Sequence, residues 1–183
     1  SIDALNIKKD GIYIDATFGR GGHTRGILDN ISENGRVIAL DQDISAIEYA
    51  KDSLIDKRLK VIHSPFANMY EIVSQLNLIG KIDGVLMDLG VSSPQLDNKE
   101  RGFSFNTDGP LDMRMDQTSG TSAAQWLYSA DEEEIANVIY RFGEEKRSRH
   151  IASAIKKYQK DNVIETTLQL ANIISGVVKS KKN

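Results

Sequence analysis

The stretch "YIDATFGRGGHTRGIL", residues 13–28, begins as a buried strand, passes through a cluster of glycines and resumes as a helix. A strand, a glycine-rich turn and a helix in this order are typical of the first βα unit of nucleotide-binding α/β proteins. A second apolar run follows and ends at Asp41, 22 residues after Gly19. This spacing suits a carboxylate that accepts hydrogen bonds from the hydroxyls of an adenosine ribose.

The glycine cluster Gly19–Gly22 departs from the dinucleotide fingerprint at its last position, where Thr24 stands. Asp15 lies just upstream, and its charge disfavours a phosphate and favours a cationic group. An adenosine with a positively charged amino-acid end, as in S-adenosylmethionine, fits this pattern better than a pyrophosphate. A tight turn that binds nothing remains an alternative, as do a surface imidazole for His23 and a helix-capping or surface role for Asp41.

Composition limits the classes of protein that the chain can belong to. The 183 residues are 40% hydrophobic, which is enough for one sizeable core and a small subdomain. The sequence contains no cysteine, and it has no apolar run of transmembrane length and no leader-like segment. We therefore expect no disulfide framework, no membrane partner and a cytoplasmic location.

Charge is distributed unevenly along the chain. Residues 141–183 hold 10 Lys and Arg against 4 Asp and Glu, whereas residues 1–140 hold 13 against 22. A basic segment joined to an acidic body is consistent with a face that binds a polyanion, although a solvated helix surface is the commoner reason for such a run.

Short β-rich runs alternate with helical patterns through residues 1–90, which predicts βαβ units and a parallel sheet. Ligands are expected outside the carboxyl ends of such strands, where Asp15, Asp41, His63 and Asp88 fall. The predicted strands are Ile12–Ala16, Val37–Leu40, Lys60–His63 and Ile82–Asp88, and the predicted helices are Thr24–Ile31, Ser45–Leu54 (capped by Asp43) and Asn68–Leu76.

From Gly90 the alternation stops for about thirty residues, a length that favours an ordered active-site loop because the segment is too apolar for a linker. Helical patterns follow. We predict helices over Ser122–Tyr128, Asp131–Phe142 (with a Ser129–Glu132 capping box, closed by Gly143), Glu145–Lys160 and Thr166–Val178 (with a Thr166–Gln169 capping box).

Beyond these patterns, five segments carry a close resemblance to one family. They are "YIDATFGRGGHTRGIL", "ALDQDISAI", "IHSPFANM", "IDGVLMDLGVSSPQLDNKERGFSFNTDGPLDMRMD" and "YRFGEEKRSRHIASAI". The chain resembles the bacterial ribosomal RNA small-subunit methyltransferase H family, also called MraW, over nearly its whole length. The resemblance implies a Rossmann-like S-adenosylmethionine-dependent methyltransferase sheet with an inserted helical substrate-recognition domain.

The resemblance also implies the reaction and the cofactor contacts. The family transfers the methyl group of S-adenosylmethionine to the exocyclic N4 of a cytidine in 16S rRNA, so the implied partner is 16S rRNA of the small subunit or its precursor. The residues that match the family's cofactor contacts are Gly21, Gly22, His23, Asp41, Phe66, Asp88 and Gln95.

Methyl transfer from a sulfonium is an in-line displacement that depends on positioning, and it does not call for a metal. Asp88 and the carbonyls that follow it are candidates to accept hydrogen bonds from the cytosine amino group. Phe103 or Phe105 is a candidate to stack on the extruded base, although anchoring of the loop to the core is the favoured alternative. Arg147 and Lys156 are candidates to bind RNA phosphates. A merely solvated helix surface is an equal alternative for these two residues.

The patterns favour an α/β domain over residues 1–100 and a loop with a helical domain over residues 101–183. The resemblance implies that the first is the methyltransferase domain and that the second carries the active-site loop and substrate recognition. The family continues beyond "VVKSKKN", so we expect the parent protein to be longer and to supply the closing strands. A nicotinamide-dependent oxidoreductase and a non-catalytic RNA-binding factor remain alternatives, and the oligomeric state is undetermined.

Overall fold

The computed structural model describes residues 2–179, and these fold into two compact units that divide between Gly90 and Val91. The division falls ahead of the boundary near residue 100 that the sequence patterns favour. Each unit has its own hydrophobic core. The first unit is an α/β sheet domain and the second is helical.

A parallel sheet forms the centre of the first unit. The described strands pair in the order β3-β2-β1-β4, all parallel. This confirms the predicted parallel sheet. The observed bounds are Ile12–Asp15 for β1, Arg36–Asp41 for β2, Leu59–His63 for β3 and Gly84–Leu86 for β4, the last shorter than predicted because only these residues pair with Tyr13–Asp15.

Alternate residues of the strands face opposite sides of the sheet, and helices cover both sides. Tyr13 and Val37 pack with α1 (Gly22–Leu28), whereas Ile14 and Leu40 pack with α3 (Met69–Gln75). Helix α2 (Ile44–Ser53) packs on the α1 side through two alanines, Ala46 and Ala50. Short 3-10 turns occupy Ile2–Leu5 and Phe66–Asn68.

Asp43 caps α2 as predicted, since its Oδ1 accepts the N–H of Ser45 at 2.9 Å. Helix α1 starts at Gly22 rather than at Thr24, because Gly21 takes the N-cap position in a left-handed conformation with φ 71°. The helix therefore begins directly inside the glycine cluster.

The second unit contains five described helices, and the last four of them pack around a core of aliphatic side chains. Leu127, Ile135, Ile151 and Ile155 are at the centre of this core. The helices are α4 (Ser93–Asp97), α5 (Ala123–Ser129), α6 (Glu132–Gly143), α7 (Ser148–Gln159) and α8 (Thr167–Lys179), with a 3-10 turn at Lys99–Arg101.

One of the two predicted capping boxes of these helices is wrong. Ser129 is the last residue of α5, and the side chain of Asp131 caps α6 by accepting the N–H of Glu134 at 2.7 Å. The Thr166–Gln169 box is confirmed: the Gln169 N–H donates to Thr166 Oγ1 at 3.3 Å, and the Thr166 N–H donates to Gln169 Oε1 at 3.1 Å.

The corner between α6 and α7 also differs from the prediction. Glu144, with φ 52°, takes the left-handed position that was expected of Gly143. Helix α7 starts at Ser148 because the Glu145 carboxylate accepts the N–H of Arg147 at 2.7 Å and holds a turn before the helix.

The long segment after Gly90 is ordered, but it is less irregular than expected because it contains α4 and the Lys99–Arg101 turn. Arg101 is buried and donates to the carbonyls of Arg114 and Met115 at 3.1 and 2.7 Å. The guanidinium therefore ties together two parts of the segment that are distant in sequence. Nowhere between residues 2 and 179 does a helix have the length and apolar character needed to cross a membrane.

Candidate active site

Three carboxylates of the first unit lie at the carboxyl ends of neighbouring strands. Asp15 ends β1 and Asp41 ends β2, and Asp88 follows two residues after the end of β4. In the sheet register Asp15 pairs with Ala39 on one side and with Leu86 on the other. Because all strands are parallel, these residues gather at one edge of the sheet, where α/β proteins bind ligands.

The Asp41 carboxylate is held by backbone donors on both of its oxygens. The Gly19 N–H donates to Oδ2 at 2.8 Å, and the Asp43 N–H donates to Oδ1 at 2.9 Å. A carboxylate oxygen has two lone pairs, so each can still accept a further hydrogen bond from a ligand. The Asp41 carboxylate is thus an acceptor whose orientation is fixed by the backbone of the glycine turn and of the residues that follow β2.

Gly21 and Gly22 are glycines for different reasons. Gly21 has φ 71°, and a Cβ there would come within 2.9 Å of the Phe18 ring, so both conformation and packing require glycine. Gly22 has an ordinary helical backbone, and a Cβ there would meet no protein atom within 4 Å. Neither strain nor packing accounts for glycine at this exposed position, and the space beside Gly22 is open.

Asp15, which the sequence pattern places beside a cationic group of the ligand, is buried and bonded within the protein. Its side chain is 0% exposed and accepts hydrogen bonds from Thr24 Oγ1 at 2.6 Å and from the Thr17 N–H at 3.2 Å. Burial raises the pKa of Asp15 above the usual range, partly offset by these two hydrogen bonds. Thr24, the residue that breaks the dinucleotide fingerprint, is therefore the partner that joins α1 to β1.

Three further candidates of the first unit lie around this edge. His23 is half-buried, and its positive form favours ionisation of Asp15. Phe66 follows β3 with 42% of its surface exposed. Asp88 is exposed, its N–H donates to Thr17 Oγ1 at 2.8 Å, and its carboxylate has no hydrogen-bond partner among the described residues.

Gln95, the remaining expected cofactor contact, lies in the second unit and is buried. Its Oε1 accepts the N–H of Ser92 at 2.9 Å and so completes the capping box at the start of α4. The structure gives Gln95 a definite part in the local fold, and its cofactor contact stays a prediction.

The two phenylalanines of the long segment differ. Phe103 is half-buried and lies 5.9 Å from the Arg101 guanidinium, which matches the anchoring alternative. Phe105 is 68% exposed and does not anchor the segment. Of the pair, Phe105 has the more exposed ring.

The two basic side chains expected to bind RNA are both engaged within the second unit. Arg147 Nη1 donates to the carbonyl of Val178 at 2.7 Å, near the end of α8. Lys156 Nζ donates to the carbonyls of Leu127 and Tyr128 at 3.1 and 3.3 Å, near the end of α5. Both cations lie at helix C-termini, where positive charge stabilises a helix.

Together, the parallel sheet, the glycine turn after β1 and the carboxylate at the end of β2 define a Rossmann-like α/β protein whose candidate ligand site is the carboxyl edge of the sheet. The chain belongs to the MraW methylase family, whose model matches residues 1–183. The family membership suggested by the sequence motifs is thereby confirmed.

Curated relatives agree with this family. The chain is 68% identical over its full length to the ribosomal RNA small subunit methyltransferase H of Vesicomyosocius okutanii, and equally to that of Ruthia magnifica. A relative of the same name from Alteromonas mediterranea is 60% identical over 98% of the chain. The chain spans 58% to 60% of the length of these relatives.

A solved structure from Clostridium thermocellum, provisionally assigned as an rRNA methylase, is 28% identical to the chain. The match covers 38% of this chain and 41% of that one, with a TM-score of 0.35. A likeness at this level carries no argument about the fold.

Proposed function

We propose that the protein is an S-adenosylmethionine-dependent methyltransferase that modifies the exocyclic N4 of a cytidine in 16S rRNA. Membership of the MraW methylase family supports methyl transfer, and the relatives' name, ribosomal RNA small subunit methyltransferase H, supports the RNA. The observation that carries the proposal is the glycine turn bonded to Asp41 through Gly19, with open space at Gly22.

The edge of the first unit suits the two ends of this cofactor. The Asp41 carboxylate has lone pairs left for the ribose hydroxyls, and the exposed ring of Phe66 follows the neighbouring strand, where an adenine can stack. Gly21 and Gly22 let the backbone approach the methionyl end, with His23 beside them. Gln95 is retained as a cofactor contact on the strength of the family motif.

S-adenosylmethionine, when bound, supplies an electrophilic methyl group on a sulfonium. The chain's part in the reaction is to orient the cytosine amino group, whose lone pair is delocalised into the ring. The exposed carboxylate of Asp88 can accept a hydrogen bond from N4–H, which returns electron density to nitrogen, and it can take the proton that N4 loses on methylation.

The second unit is proposed as the substrate-recognition part. Phe105, exposed on the long segment, is the proposed stacking surface for the target base. RNA as substrate and the absence of cysteine are both consistent with the cytoplasmic location expected from the sequence.

Titration calorimetry with S-adenosylmethionine, its demethylated product and NAD tests the cofactor. We expect saturable binding of the first two and none of NAD. Tight NAD binding without a response to the sulfonium ligand would overturn the proposal. Mapping of methylated cytidines in 16S rRNA from cells with and without the gene tests the substrate, and an unchanged N4-methylation pattern would exclude it.

A further inference from the structure

A cavity of about 190 Å³ lies within the second unit between α6 and the start of α7. Its polar lining comes from Asn137 and Tyr140 of α6 and from Lys146, Ser148, Arg149 and His150 around the start of α7. The lining residues include no carboxylate. The volume accommodates a tetrahedral oxyanion together with several water molecules.

The three basic side chains of this cavity are unengaged, unlike two nearby cations of the same unit. Lys146, Arg149 and His150 are exposed, and none of their side chains has a hydrogen bond or ion pair within the described residues. Arg147 and Lys156, in contrast, donate to backbone carbonyls of α8 and α5. Three unengaged basic side chains therefore line one cavity.

The acidic residues nearest in sequence lie outside the cavity lining. Neither Glu144 nor Glu145 lines the cavity, and the Glu145 carboxylate accepts the N–H of Arg147 at 2.7 Å. The first turn of α6 holds Glu132, Glu133 and Glu134, at the opposite end of that helix from Tyr140. An anion that enters the cavity meets no carboxylate among the lining residues.

The donors are of the kinds that recognise phosphate. The guanidinium of Arg149 presents a planar fork, and the Lys146 ammonium is a compact charge that can approach a second oxygen. Tyr140 lines the same cavity with 60% of its surface exposed, which places an aromatic face beside the donors. Cations next to an exposed aromatic ring are typical of surfaces that bind single-stranded nucleic acid.

We infer that this cavity binds one backbone phosphate of the RNA substrate, with Lys146, Arg149 and His150 as donors and Tyr140 as a stacking surface for an adjacent base. The inference rests on the proposed function, since it takes RNA as the polyanion. It moves the RNA contact from Arg147 and Lys156 to side chains that sequence periodicity did not single out.

The test is carried out in the intact protein with a 16S rRNA fragment that contains the methylated cytidine. The double variant Lys146→Gln/Arg149→Gln should bind this RNA about tenfold more weakly. The slope of log K against log salt should fall by about 0.7, the value for one lost single-strand phosphate contact. Tyr140→Ala should lower affinity with an unchanged slope, because stacking releases no counterions.

Lys157→Gln/Lys160→Gln is the matched control, since Lys157 and Lys160 are two exposed basic residues that do not line the cavity. It should keep more of the affinity and the salt slope than Lys146→Gln/Arg149→Gln. Circular dichroism and the unfolding temperature confirm that each variant is folded. An equal loss in the control would indicate a diffuse basic surface and overturn the cavity site.

S-adenosylmethionine affinity, measured on the same samples, separates the two proposals. In one outcome, the wild-type protein binds both cofactor and RNA, and the double variant binds RNA with the wild-type affinity and salt slope. This outcome would overturn the cavity site and leave the proposed function standing. Wild-type protein that binds neither ligand would overturn both.

Discussion

The Gly19 N–H donates to Oδ2 of Asp41 at 2.8 Å, so the glycine turn after β1 and the carboxylate at the end of β2 are joined directly. The Asp43 N–H donates to the other oxygen at 2.9 Å. Two backbone donors thus orient one carboxylate before any ligand arrives, which reduces the entropic cost of binding.

Asp41→Asn tests this arrangement. An amide has only one acceptor oxygen, so its NH₂ group would face either the Gly19 or the Asp43 N–H and leave it unpaired. We expect a loss of about 1–3 kcal/mol of unfolding free energy in urea denaturation and at least about a tenfold loss of S-adenosylmethionine affinity in calorimetry. Asp43→Asn, which keeps a competent helix cap, is the control. Unchanged cofactor affinity in Asp41→Asn would remove Asp41 from the site.

Gly22→Ala separates a ligand contact from a structural glycine. Alanine is the better helix former and would touch no protein atom here, so stability should be unchanged or should rise by up to about 1 kcal/mol. S-adenosylmethionine affinity should nevertheless fall about tenfold or more, because the methyl group occupies the open space beside Gly22 in which the cofactor is proposed to lie. Calorimetry and thermal unfolding of the same sample measure both effects.

Gly21→Ala is the companion variant, with the opposite expectation for stability. A Cβ at Gly21 would lie 2.9 Å from the Phe18 ring, and the φ of 71° is strained for alanine. We expect destabilisation of at least about 1 kcal/mol.

The result that would contradict the prediction concerns Gly22→Ala. If this variant bound the cofactor with wild-type affinity, the open space at Gly22 would be no evidence for a ligand.

The strands and most helices could be predicted because they depend on local apolar patterns. The runs that end at Asp15 and Asp41 are buried, and their positions in the sheet follow from hydrophobic periodicity. The capping box predicted at Ser129 is wrong because Ser129 and Glu132 have the same spacing as Ser122 and Gln125, which form the capping box that the structure contains at the start of α5. Spacing alone does not tell which of two such serines begins a helix.

The ties between distant residues could not be predicted. The hydrogen bond from Arg147 to Val178 spans 31 residues, and that from Lys156 to Leu127 spans 29, so local periodicity contains no trace of either. The sequence does mark Thr24 as unusual, since it replaces a glycine or alanine of the dinucleotide fingerprint. It does not identify Asp15 as the buried partner of Thr24, because burial of a carboxylate cannot be predicted from its position at a strand end.

Asp15→Asn should change how stability depends on pH. Because burial raises the pKa of Asp15 in the folded state, the folded chain retains this proton more firmly than the unfolded chain does. The stabilisation that comes from retaining this proton is fully present at pH values below the usual pKa of an aspartate. It is lost as pH rises through the raised pKa of the folded state. Asparagine has no such titration, and it can accept from the Thr17 N–H and donate to Thr24.

The unfolding free energy of Asp15→Asn relative to the wild type should therefore increase from pH 4 towards pH 7. Urea denaturation at successive pH values measures this difference, in which the contributions of all other titrating groups largely cancel. A difference that stays constant over this range would show that burial does not raise the pKa of Asp15.

Arg147→Gln and Lys156→Gln should act mainly on the stability of the second unit. Each variant removes a charged donor from helix-terminal carbonyls, and we expect losses of about 1–2 kcal/mol in urea denaturation. Lys157→Gln removes the same charge from an exposed position of α7 and should cost less than about 0.5 kcal/mol. RNA affinity of the folded Arg147 and Lys156 variants should change less than that of Lys146→Gln/Arg149→Gln. Wild-type stability together with a strong loss of RNA affinity would instead identify Arg147 and Lys156 as direct phosphate contacts.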